Sequence, residues 1–150
     1  MARILSVNIS EEKGTIKHPV EAGMLGKDHG LVGDAHSGGW HRQVSLLAEE
    51  SVDKVREKAP GVALAPGVFA ENLTTEGLSL HTLPLGTRLQ AGAAVLEVTQ
   101  IGKECHLGCE IRRLTGDCVM PREGIFARVI HPAMVRPGDP LRVLPDGGRT

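Results

Sequence analysis

Glycine and proline interrupt this chain so often, 19 and 9 times in 150 residues, that short extended segments joined by turns suit it better than a helix bundle. The segments are readable one by one. Ala2 to Ile9 alternates imperfectly between apolar and polar residues and reads as a strand, closed by a turn at Glu11 to Gly14. His18 to Met24 offers a short edge strand, and Gln43 to Leu47 a further one. Ala48 to Ala59 reads as a helix, with Val52, Val55 and Ala59 on one face. Its acidic residues Glu49 and Glu50 come first and its basic Lys54, Arg56 and Lys58 later, in keeping with the helix dipole. Pro60-Gly61 ends it. Asn72 to Thr75, Leu83 to Leu89 and Ala94 to Ile101 are expected strands, the last two joined through Gln90-Ala91-Gly92. His106 to Leu114 reads as a second helix, Gly124 to Ile130 as a strand, and Leu141 to Leu144 as another after the Pro137-Gly138-Asp139 turn.

About seven short strands and two helices predict a mainly β fold, a small, largely antiparallel β-barrel with peripheral helices. The length suits one domain over residues 1–150, with a frayed tail from about residue 146. The balance of 17 basic and 18 acidic residues gives no support to a nucleic-acid partner. The near absence of aromatic residues removes base-stacking platforms as well. No run approaches the roughly 20 apolar residues of a membrane span and no signal peptide is visible, so a cytoplasmic location is expected, with no membrane partner. An odd count of three cysteines argues for free thiols, a metal site or catalysis rather than a disulfide framework.

All three cysteines lie between Thr99 and Val129. Cys105 follows an apolar strand and precedes the expected helix, a setting in which amide dipoles and nearby cations favour thiolate. It is the first candidate for chemistry, as nucleophile, sulfur acceptor or soft-metal ligand. Cys109 is placed one helical turn on, and Cys118 reads as a buried small hydrophobe. Cys105, His106, Cys109 and Cys118 lack the knuckle spacing of a zinc site, and structural zinc is not expected. A second candidate is the glycine-dense loop Gly30 to Arg42, whose backbone amides, His36, His41 and Arg42 suit a ligand rich in anionic oxygens. Its plainer reading is a turn capped by Asp34 with a solvated His41. Arg122 and Glu123, on the turn between Pro121 and Gly124, are either aimed at a site or an exposed ion pair.

Five stretches in order, GLVGDAHSGGWHRQVSLLAEE, GVFAENLTTEGL, LPLGTRLQAGAAVLEVTQIGKECH, GDCVMPREGIFARV and VRPGD, resemble the MOSC domain, named for the C-terminal domain of molybdenum cofactor sulfurase. The resemblance covers most of the chain, from about Arg3 to Val143. It implies a β-rich, barrel-like fold related to the barrel domain of pyruvate kinase. It also implies molybdenum cofactor (molybdopterin) as ligand. Sulfur would come from a cysteine desulfurase that carries the pyridoxal phosphate itself, so the expected partner is that desulfurase or a molybdenum cofactor biosynthesis protein. The family's characteristic cysteine, after a Thr-Gln-Ile strand end, is matched by Cys105, which would hold a persulfide or ligate molybdenum. Glu104 stands where many members have proline, and Cys109 and Cys118 are additions; both look like features of a small stand-alone subgroup associated with cofactor biosynthesis. On this reading His36, Gly38 and Gly39 shape the pocket, while Arg42, Lys103, Arg112 and Arg122 neutralise the phosphate. The function expected is cofactor binding with sulfur carriage or transfer. The alternatives are a non-catalytic assembly partner and a molybdenum-dependent reductase of N-oxygenated compounds.

Overall fold

The computed structural model describes residues 2–12, 15–35, 37–58, 61, 63–102 and 123–145. Among them a large sheet runs in the order β11 (Leu141–Val143), β7 (Arg88–Ala91), β8 (Ala94–Ile101), β9 (Ile125–His131), β5 (Val44–Ala48), β6 (Leu73–Glu76), β1 (Arg3–Ile9), β2 (His18–Val20), and a smaller one in the order β10 (Ala133–Val135), β3 (Gly23–Gly26), β4 (Gly30–Leu31).

The mainly β expectation is met, and the sheet curls until its flanks touch. The Ile4 amide donates to the Asp139 carbonyl (2.9 Å), Gly138 donates to Ile4 (2.7 Å) and Leu141 donates to Ala2 (3.0 Å). Residues 2–4, at the start of β1, thus lie against the chain entering β11, while Val7 to Ile9 pair with β2. Curling hides the inner face: Ile4, Val7, Leu46, Leu73, Leu89, Leu96, Val98, Ile125, Ala127, Val129 and Leu141 form one buried cluster. Leu25, Leu31 and Val135 of the smaller sheet extend it.

β5 and β6 are parallel neighbours, an arrangement that needs a crossover. α1 (Glu49–Lys58) is part of that crossover, on the other side of β5. Alternation along β5 therefore feeds two cores: Leu46 faces the barrel interior, and Leu47 packs with Val52, Val55, Phe69 and Phe126. At the start of the helix Glu50 accepts the Gly77 amide (2.7 Å).

Four expectations need revision. The single edge strand His18 to Met24 is two strands, β2 in the large sheet and β3 in the smaller one, separated at Glu21-Ala22. The strand Leu83 to Leu89 begins only at Arg88, because Leu80–Thr82 is a single 3-10 turn and Thr87 turns back to bond the Pro84 carbonyl through both amide and hydroxyl. The β7–β8 turn lies at Gly92-Ala93, one step later than expected, with Ala91 opposite Ala94 and Gly92 left-handed at φ 60°. Gly30-Leu31, expected as loop, pairs with Leu25 and Gly26. A Cβ on Gly30, whose φ is 111°, would lie 2.3 Å from the Gln43 carbonyl oxygen, so only glycine fits. The second expected helix, His106 to Leu114, lies outside the described residues, as do Cys109, Cys118 and the tail from 146.

Candidate functional site

The antiparallel pair β8 and β9 carries the chain into and out of residues 103–122. A register shift between Val98 and Gln100 marks a bulge at Thr99, and such a bulge redirects side chains at the end of a strand. Beyond it, Gly102 takes a left-handed φ of 71° and donates its amide to the Gly124 carbonyl (2.7 Å), holding the two ends side by side. Cys105 is three residues after Gly102, at most about 11 Å along a fully extended chain. Cys105 itself, with His36, Lys103, Arg112 and Arg122, lies outside the described residues.

The glycine-dense loop is fastened at both of its ends. At its start, Asp34 is buried and accepts from Lys17 Nζ (2.7 Å) and the Ser10 amide (3.0 Å). The Lys17 ammonium is fully buried and also donates to Ser10 Oγ (2.9 Å). Burial alone would push the Asp34 carboxyl up, but the Lys17 ammonium, the Asn72 side chain and the Ser10 amide outweigh it and hold it below the usual range. Asp34 also carries the turn expected from sequence, since Ser37 donates its hydroxyl to the Asp34 carbonyl (2.7 Å). The Gly38 amide is committed to the His29 carbonyl (2.6 Å) with φ at 148°, so Gly38 acts through backbone shape, while Gly39 is exposed in open space.

At its far end the loop docks on β8. Gln100 Oε1 receives His41 Nε2 (2.8 Å) and Arg42 Nε (3.0 Å), and Gln100 Nε2 donates to the Gly102 carbonyl (2.7 Å). These contacts fix the amide orientation, because Arg42 can only donate. They also require that His41 carry its proton on Nε2. Thr99 donates its hydroxyl to the carbonyls of His41 and Phe126. The Arg42 guanidinium carbon lies 5.2 Å from the Phe126 ring centre and 6.0 Å from that of Trp40, within cation-π range.

His41 and Arg42 are therefore brought to the strand end that leads to Cys105. Glu123 has partners on α1 that its place in the sequence did not indicate. It accepts from Ser51 Oγ (2.6 Å) and pairs with Lys54 Nζ (2.7 Å), tying the start of β9 to α1. Burial pushes the Glu123 carboxyl up, and these two donors with the nearby His81 hold it below its ordinary value. The three line a groove of about 350 Å³ with Glu50, Gly77 and Ser79. A larger cleft of about 610 Å³, beside Ile9, Glu12, Ile16 and His18, holds none of the residues singled out from sequence.

Sequence reasoning missed Thr99, Gln100 and Lys17. Consecutive polar residues at the end of an otherwise alternating strand were the available sign of the bulge; a buried lysine leaves no sign of its own. Among the described residues no three His, Cys, Asp or Glu side chains cluster as a metal site, and no helix is long and apolar enough to cross a membrane.

A barrel-like sheet with a crossover helix and a glycine loop docked on the end of β8 defines the class of the protein. The MOSC domain model matches residues 33–142, and the chain belongs to that family. YuaD from Bacillus subtilis superimposes with a TM-score of 0.78 at 19% identity, over 95% of this chain and 96% of that one. YiiM from Geobacillus stearothermophilus gives 0.73 at 22% identity, over 96% and 75% of the two chains. YiiM from Escherichia coli gives 0.68 at 24%, over 95% and 69%. Comparison with curated proteins finds no match.

Proposed function

We propose that the protein binds molybdenum cofactor, or a precursor, at the loop Gly38 to Arg42 and carries sulfur on Cys105. The observation behind this reading is the docking of Arg42 and His41 on Gln100, five residues before the cysteine. The fit is chemical. Arg42 is half-buried and bonds through Nε, and among the described residues its two terminal nitrogens make no hydrogen bond, leaving a planar fork suited to phosphate oxygens. The open space over Gly39 admits a ligand close to the backbone. Lys103, Arg112 and Arg122 would add charge from the neighbouring connection. When bound, the cofactor supplies a metal centre that takes thiolate or sulfide.

Cys105 as thiolate attacks the outer sulfur of a persulfide on a cysteine desulfurase. The new S–S bond forms on Cys105 while the donor's S–S bond breaks, and the desulfurase cysteine leaves as thiolate. The pyridoxal phosphate stays on that partner. Intact-mass measurement after incubation with a desulfurase and cysteine should show a gain of one sulfur atom, absent in Cys105→Ala. Cofactor analysis of protein from a molybdopterin-producing host should show retained molybdopterin, reduced in Arg42→Ala. No sulfur adduct on the wild type would remove the carrier role; no retained molybdopterin would remove the cofactor role.

A further inference from the structure

An arginine meant for an anionic ligand is usually steadied by a carboxylate, and that carboxylate weakens the charge the ligand is to feel. Here the steadying group is an uncharged amide. Gln100 Oε1 holds Arg42 Nε at 3.0 Å and His41 Nε2 at 2.8 Å, and its own nitrogen is tied to the Gly102 carbonyl at 2.7 Å. The Phe126 ring, 5.2 Å from the guanidinium carbon, restrains Arg42 without neutralising it. Among the described residues, Glu97 of β8 is engaged with Arg88 and Arg128, and Glu123, just before β9, with Lys54.

We infer that Gln100 is a positioning residue, which holds the Arg42 fork oriented and with its full charge for a ligand bearing phosphate-type oxygens. The inference rests on the anion-binding part of the function proposed above and adds the residue that sets it. Replacement of Gln100 by Glu separates it from a merely structural role. A glutamate still accepts from His41 and Arg42 and adds an ion pair that keeps the loop docked; it gives up the donor to the Gly102 carbonyl, and it cancels the charge.

The test titrates inorganic pyrophosphate into wild type, Gln100→Glu and Gln100→Leu. Binding is read by the emission of Trp40, the chain's single tryptophan, which lies 5.9 Å from the His41 ring and against Arg42. The Arg42 Nε–H resonance reports whether the clamp is closed. Wild type should bind saturably. Gln100→Glu should keep a protected Nε–H, yet bind at least about tenfold more weakly. Gln100→Leu should lose both the Nε–H protection and the affinity. Undiminished pyrophosphate affinity in Gln100→Glu, or no saturable binding by wild type, would overturn the inference. A wild type that binds pyrophosphate but retains no molybdopterin would instead defeat the cofactor reading alone.

Discussion

Lys17 and Asp34 show how a single pair sets the site loop. Both are fully buried, and Lys17→Met would take away the ammonium that pairs with the Asp34 carboxylate. The expected loss is about 3–5 kcal/mol of stability in urea unfolding, the usual size for breaking a buried pair from one side. Asp34 titrates below its ordinary value when folded, so its stabilisation is present above the unfolded value near 3.8 and is lost as pH falls through the lower folded value. Glu71 has the opposite sign. It is wholly buried, and burial pushes its carboxyl up despite donors from Thr74 (2.8 Å) and the Phe69 amide (3.2 Å). Its contribution is present below the unfolded value near 4.5 and is lost as pH rises through the higher folded value. Glu71→Gln should therefore gain stability relative to wild type as pH rises above about 4.5. Denaturant midpoints of the two proteins from pH 4 to 8 check this; a constant difference would refute it.

Elements place these residues by small departures from regularity. The Thr99 bulge turns one hydroxyl onto the carbonyls of both His41 and Phe126, linking the loop, β8 and β9. Thr99→Val keeps the shape and removes the donor, with an expected cost of about 1 kcal/mol in thermal unfolding. A shifted Trp40 emission maximum should accompany it, because the loop loses one of its ties. At Gly30 the departure is steric. Gly30→Ala combines φ 111° with a contact of 2.3 Å to the Gln43 carbonyl, and the β3–β4 turn cannot absorb both. A loss of more than about 2 kcal/mol is expected, beyond the usual cost of a surface change.

Across the whole molecule, closure of the sheet decides which amides are guarded. Ile4 and Leu141 sit where the flanks meet, and their amides bond across the seam to Asp139 and Ala2. They should exchange with deuterium as slowly as amides of the central β8 and β9. The β2 segment, with exposed His18 and Pro19 and, among the described residues, no strand beyond it, should exchange quickly. Fast exchange at Ile4 would mean the seam opens in solution. Pro19 on that outer strand also removes a donor that another chain could pair with.

Much of this was legible in the residues themselves. Short apolar runs cut by glycine and proline determine a mainly β chain, because their length and spacing admit few other packings. The helix after Leu47 shows in its 3.6-residue period and end charges, and the family in five ordered motifs. Local patterns carry such information since each depends on neighbours within a few residues. The curl of the sheet, the role of Glu123 as a tie to α1, the burial of Lys17 and the clamp at Gln100 depend on partners 17 to 139 positions away. No local pattern records these partners, and only the folded chain brings them together.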